Sequence, residues 1–195
     1  MGHQFLDEKQ IRKILDLARE NKRDFALLHL GLATGLRSSD LLKIRYCEVV
    51  KDGEITKMLR IKMKKTGRYI ERPLRQDCRH ALQEWMGSRE DTNPYLFCSL
   101  NPAWAERGRP LSRFHHHKIV KKYLLALFHD ETELQQSSTH TLRRSIAKLM
   151  HTKTGQIAVV QAFLGHTNPA NTSLYIDQNN LRQQADDVVL NGIQY

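Results

Sequence analysis

Six residues of the 195-residue chain have side-chain types and settings that packing alone does not call for: Arg37, Lys65, His140, Arg143, His166 and Tyr175. Arg37 follows an apolar run that stops at Thr34-Gly35, which places it at a helix end rather than on a surface stripe. His140 and Arg143 are three residues apart and so share one helical face. His166 comes directly after Leu164-Gly165, another helix end, and Tyr175 lies nine residues further on in the polar stretch 168–180. Lys65 sits at the tip of the turn signal Lys64-Lys65-Thr66-Gly67. By type the set offers two guanidinium forks, two imidazoles, an ammonium and a phenol, groups suited to gripping an oxyanion and passing protons. Taken singly, each has an ordinary reading: the arginines as solvated charges, His140 as a helix cap, Tyr175 as a packing ring.

The charge of the whole chain points the same way. Thirty-one Lys+Arg oppose 21 Asp+Glu, giving +10 at pH 7. Such a balance draws a protein toward polyanions: DNA, RNA or an anionic membrane surface. The chain is 40% hydrophobic and 27% charged, an ordinary globular composition. A chain of this length buries about 70% of its unfolded surface and needs neither disulfide nor metal to fold. No apolar run approaches the roughly 20 residues that span a bilayer, and Met1-Gly2-His3-Gln4 leads into charged helix-like sequence rather than a signal core. No membrane partner is expected. Cys47, Cys78 and Cys98 are odd in number, far apart and outside any zinc-ligand spacing, which fits a reducing cytoplasm. The run His115-His116-His117 invites a metal reading, but consecutive helical residues point about 100° apart and cannot converge on one ion. It reads as a solvated or DNA-facing helix edge.

The scaffold that must position the six residues is mainly α with a small antiparallel β-sheet (α+β). The pattern predicts an opening helix capped near Asp7, a buried helix over about 24–33 ended by Gly35, and a short helix from Ser38 or Ser39. Residues 46 to 74 read as one small antiparallel sheet, with a turn at Asp52-Gly53, alternating Leu59, Ile61 and Met63, and a return strand from Tyr69 to Leu74. A helical stripe follows at Cys78, Ala81, Leu82 and Trp85, then a loop over 101–110. Ser112 caps a helix whose Ile119, Val120, Tyr123, Leu124 and Leu127 face inward. After a polar loop at 129–138, helices are expected from Leu142 to near Gly155 and at roughly 156–164, 170–176 and 180–190. The whole chain, 1–195, reads as one domain.

In order and spacing, these residues resemble the catalytic domain of the tyrosine recombinases, the family of the phage lambda-type integrases. Ala33-Thr34-Gly35-Leu36-Arg37-Ser38-Ser39-Asp40-Leu41 is similar to the family's first arginine box. Lys65-Thr66-Gly67 falls at the hairpin position of the family's catalytic lysine. Thr139-His140-Thr141-Leu142-Arg143 resembles the HxLR box, and Gln161-Ala162-Phe163-Leu164-Gly165-His166 the LGH box. Tyr175 then stands at the nucleophile's distance. Each box is weak alone; five in order are strong. Asp40 replaces the more usual Glu, and Arg144 replaces a second His; neither departure removes a core catalytic residue.

The resemblance implies a site-specific recombinase that cleaves and rejoins DNA through a 3′-phosphotyrosyl intermediate, without metal, ATP or other cofactor. Arg37 and Arg143 would hold the non-bridging oxygens, Tyr175 would attack phosphorus, His140 would act as base, His166 would ligate the phosphate or orient a partner, and Lys65 would protonate the leaving 5′-oxygen. An ordinary tyrosine is only about one part in a thousand ionised at pH 7, a deficit of roughly 4 kcal/mol that neighbouring cations and a base must offset. The implied partners are double-stranded DNA, further protomers forming a tetramer in synapsis, and accessory DNA-bending proteins. The implied location is the cytoplasm of a bacterium, at the nucleoid, with a bacterial or phage gene. Two other readings stay open: a catalytically idle DNA-binding module of the same fold, and a type IB topoisomerase or telomere resolvase. The N-terminal core-binding domain usual in the family is absent from the chain. An excised catalytic fragment is therefore expected, ahead of a short recombinase like the fimbrial inversion enzymes. Beyond Tyr175, Leu181, Ala185, Val188 and Val189 form an apolar stripe, with docking in cis or on a neighbouring protomer both open.

Overall fold

Asp7 opens the first helix, α1 (Glu8–Ala18), through a reciprocal cap. Its carboxylate accepts from the Gln10 N–H at 2.7 Å while the Gln10 side chain accepts from the Asp7 N–H at 3.0 Å, an arrangement worth about 0.5–2 kcal/mol. The computed structural model describes residues 5–64, 67–128 and 138–165. The chain divides into two compact units, Met1–Arg143 and Arg144–Tyr195.

In the first unit, α2 (Lys22–Thr34) is buried nearly all round, as its apolar run requires, and packs on α1 and α5 (Gln76–Gly87). One buried polar pair fixes it to α7 (Arg113–Leu125): the Tyr123 hydroxyl donates to Asp24 Oδ2 at 2.9 Å. Asp24 is 3% exposed, and Arg23 grips its other oxygen through two nitrogens at 2.7 and 3.0 Å. Burial, then the Asp24 carboxylate, pushes the Tyr123 pKa up. Gly35 ends α2 with φ 58°, a left-handed cap that a side chain would strain. The chain then turns directly into the short helix α3 (Ser38–Leu41), with Arg37 at its N-cap.

The expected single sheet over residues 46 to 74 is corrected. Tyr46–Val49 forms a helical turn, α4, whose Arg45 N–H donates to the Glu48 carboxylate at 2.7 Å. Two separate two-stranded ladders follow: β1 (Val50–Lys51) with β2 (Glu54–Ile55), and β3 (Met58–Lys62) with β4 (Tyr69–Pro73). Thr56 separates them. Its hydroxyl donates to the Met58 carbonyl at 2.9 Å and accepts from the Met58 N–H at 3.3 Å, a side-chain turn that diverts the strand. In the second ladder Leu59 faces Arg72 and Ile61 faces Ile70, and this side of the hairpin is turned inward.

The Asn101–Pro110 stretch, read as a loop, contains a short helix, α6 (Pro102–Glu106); Asn101 caps it, accepting from the Trp104 N–H at 3.2 Å, and Pro102 suits its first turn. Ser112 caps α7 as expected, with its hydroxyl accepting from the His115 N–H. The histidine run is not uniformly a solvated edge: His116 is buried at 3% exposure. It lies three and four residues before the buried Ile119 and Val120, on the inward face.

The two units divide within α8 (Thr139–Thr154), between Arg143 and Arg144. In the second, Ala147 packs with Val160 and Leu164 of α9 (Ile157–Leu164), and Met150 and Phe163 lie against them. Gly155 at φ 66° separates the two helices, and Gly165 at φ 63° closes α9. Most of the polar loop at 129–138 and the helices expected at 170–176 and 180–190 lie outside the described residues.

Candidate active site

The loop joining α2 to α3, residues 34–37, is where two candidate residues of the first unit, Arg37 and Arg143, meet. Arg37 stands at the α3 N-cap in extended backbone, φ −69° and ψ 149°. Its Nη1 is buried yet has no hydrogen-bond partner among the described residues. A buried cationic nitrogen without an acceptor is costly, which is the condition an incoming anion relieves.

Arg143 arrives at the same loop from α8, 108 residues away from Gly35 in sequence, and its Nη1 donates to the Gly35 carbonyl. It is 2% exposed. His140, one turn earlier on the helix, is exposed, and its N–H donates to the Ser138 hydroxyl at 3.2 Å. The structure thus brings Arg37 and Arg143 to one turn and places His140 at the outer end of the helix that carries Arg143.

A third arginine joins them that was not singled out from sequence. Arg72 of β4 is 8% exposed. Its Nε donates to the Thr34 carbonyl at 3.3 Å and its Nη1 to the Glu71 carbonyl at 2.7 Å. Burial lowers its pKa. The signal was present in the return strand: alternation places Arg72 on the same side as Ile70 and Leu74, an inward position where arginine needs a reason.

Asp40 ties the hairpin to this loop. It is 4% exposed, and its Oδ1 accepts from the Lys64 N–H at 3.0 Å. Its Oδ2 is buried with no partner among the described residues. The Met63 N–H donates to the Arg68 carbonyl and the Gly67 N–H to the Met63 carbonyl, both at 2.8 Å, so the bonding between the two arms continues past the end of β3. Lys65 itself lies outside the described residues, as do His166 and Tyr175.

Among the described residues, no group of His, Cys, Asp and Glu side chains could hold a metal ion, and no helix is long and apolar enough to cross a membrane. What the first unit offers is a cationic turn with buried guanidinium nitrogen and an acid that tethers a lysine-rich hairpin beside it.

Comparison with known proteins gives a consistent picture. The sequence pattern described as "Phage integrase family" matches residues 4–182. The chain is 28% identical over 160 residues to the "Probable integrase/recombinase YoeC" of Bacillus subtilis (strain 168), covering 82% of this chain and 80% of that protein. It is 28% identical to "Tyrosine recombinase XerA" of Pyrococcus horikoshii, covering 87% of this chain and 55% of that protein, so it spans about half of that relative. Among solved structures, the XerH site-specific recombinase bound to difH substrate, a pre-cleavage complex, matches with a TM-score of 0.68 at 22% identity, over 93% of this chain and 53% of that one. At that identity the likeness establishes the fold.

Proposed function

Because the chain belongs to the phage integrase family, we propose that it is a site-specific tyrosine recombinase that cleaves and rejoins DNA strands. The observation that carries this reading is the buried Nη1 of Arg37, without a partner among the described residues, at the turn where Arg143 and Arg72 also end. Guanidinium forks hold phosphate oxygens bidentately, and they are worth most where charge concentrates in the pentacoordinate transition state.

In the proposed reaction Arg37 and Arg143 hold the two non-bridging oxygens. The Tyr175 hydroxyl oxygen bonds to phosphorus as its proton passes to His140, and the phosphorus–O5′ bond breaks. Lys65 protonates the leaving 5′-oxygen, and His166 steadies the phosphate. The product is a 3′-phosphotyrosyl enzyme and a free 5′-hydroxyl. Attack by the 5′-hydroxyl of a second strand reverses each bond change, so no net hydrolysis occurs. None of these steps requires a metal or a nucleotide. Arg72, held by two backbone carbonyls, adds fixed positive charge behind the turn.

The partners under this reading are double-stranded DNA and further protomers, four in a synapse, with accessory DNA-bending proteins shaping the site. The stripe Leu181, Ala185, Val188 and Val189 would dock on its own unit or exchange between protomers once they assemble.

A pool of nicked duplexes of random sequence tests the reaction. A strand broken near the cut loses its 5′-hydroxyl fragment by diffusion, so the covalent intermediate accumulates and runs as a protein–DNA adduct on denaturing gels. Tyr175→Phe should abolish the adduct while leaving DNA affinity within a few-fold. An adduct that persists in the phenylalanine variant refutes the nucleophile; wild-type protein that binds DNA and yields no adduct from any duplex is the idle module instead.

A further inference from the structure

We propose that the solvent face of the β3–β4 hairpin is a DNA-backbone clamp, distinct from the reaction centre and continuous with it. This deepens the recombinase reading and rests on it for the identity of the polyanion. Alternation along β3 buries Leu59, Ile61 and Met63 and leaves Arg60, Lys62 and Lys64 exposed on the other side. The register sets Lys62 opposite Tyr69 and Arg60 opposite Glu71. Tyr69 is 58% exposed, yet its ring is occupied: the Arg60 guanidinium carbon lies 4.6 Å from the centroid and Lys62 Nζ 5.8 Å. Lys57 and Arg68 are also exposed, and Glu71 is the only acid between residues 57 and 73. None of these five cations is ion-paired with a described residue.

A solitary oxyanion does not fit this row. With a strand rise of about 3.3 Å, Arg60, Lys62 and Lys64 are spaced about 6.6 Å apart over some 13 Å and cannot converge on one phosphate. The partner must repeat its charge, as a DNA strand does with one phosphate per 3.4 Å of helix axis. Tyr69 explains how exposed side chains make a usable row. Cation–π contact with the ring face restrains Arg60 and Lys62 before the partner arrives, which reduces the ordering that binding must impose. The row also starts at the reaction centre, because the Lys64 N–H is the group Asp40 holds, three residues after Arg37.

The test is the salt dependence of binding to a non-specific 30-base-pair duplex, followed by fluorescence anisotropy for the full chain. Neutralising two phosphate contacts in the double variant Arg60→Ala/Lys62→Ala should make the slope of log K against log salt less negative by about 1.8. Affinity near physiological salt should fall tenfold or more, with the melting temperature unchanged because both side chains are exposed. Tyr69→Leu should weaken binding two- to fivefold and leave the slope alone. An unchanged slope in the double variant overturns the proposal, whatever happens to affinity, since the face would then serve another partner, such as an acidic protein. Failure of the recombinase reading shows separately, as a wild-type protein that makes no adduct with nicked duplexes while the slope still shifts.

Discussion

Asp40 gives the sharpest test of how the hairpin is coupled to the chemistry. Its Oδ1 receives the Lys64 N–H at 3.0 Å across 24 residues of sequence, next to the lysine proposed to protonate the leaving group. The carboxylate is 4% exposed, so the bond operates with little competition from water. A hydrogen bond to a charged acceptor contributes about 1.5–3 kcal/mol. If that energy holds the hairpin in its productive position, Asp40→Ala lowers single-turnover cleavage by about 10- to 150-fold, at 1.36 kcal/mol per tenfold. Asp40→Asn keeps an acceptor for Lys64 and should lose much less. The assay is adduct formation at saturating DNA on a duplex selected from the nicked pool, run in parallel on the same duplex with sulfur in place of the bridging 5′-oxygen. A thiolate leaves without needing a proton, so the sulfur substrate should restore Asp40→Ala to within a few-fold of wild type. Equal loss on both substrates refutes the coupling, because it would place the damage at phosphate binding or at the nucleophile. No loss on either would make the tether incidental.

Arg37→Ala should lower cleavage by about 10²–10³ at saturating DNA, with DNA affinity little changed; a fall below tenfold makes it a positioning charge. Arg143→Ala should show the same kinetic loss together with a lower melting temperature, since its guanidinium also holds the Gly35 carbonyl. Tyr123→Phe should cost about 1.5–3 kcal/mol in urea unfolding with an unchanged m-value and unchanged adduct chemistry, because it strips a donor from the buried Asp24. Acid should destabilise the fold through His116. Burial first, then His117, holds its pKa at about 4 against 6.5 for the free side chain, and its Nδ1 is buried without a partner among the described residues. The unfolded chain therefore takes up a proton that the folded one refuses, and stability falls by up to ~3 kcal/mol as pH drops from about 6.5 to 4. His116→Leu should flatten that part of the stability profile; an unaltered profile would assign the loss to other groups.

The helices were legible because their signals are local. Asp7 and Ser112 cap where their types suggest, and Gly35 and Gly155 stop their helices with positive φ. The division of the sheet was not, because it depends on the Thr56 hydroxyl bonding to Met58 rather than on any alternation of apolar residues. The loop reading of 101–110 missed a helix of five residues that Asn101 and Pro102 announce. His116 was read as an edge residue although its spacing to Val120 already put it inward. Within the site, the meeting of Arg37 and Arg143 at one turn joins segments over a hundred residues apart, which periodicity cannot express; only the ordered resemblance of the boxes carried it. Arg72 was accessible to the alternation argument and was passed over because a return strand was read for its apolar residues alone.

The anchoring of Arg72 and Arg143 by the carbonyls of residues 34 and 35 has a consequence for how this site tolerates change. A carbonyl is supplied by any amino acid, so the acceptors are indifferent to the identity of the side chains that bear them. What the loop must preserve is a path through space, and Gly35 at φ 58° sets that path. A deep mutational scan of residues 33–37 should therefore separate two kinds of constraint. Position 35 should reject side chains because of its backbone torsion, while the acceptor role at position 34 alone should impose no preference. The guanidinium groups of Arg72 and Arg143 are thus placed by the path of the chain, and position 34, unlike Arg37, is free to drift as an acceptor wherever that path survives.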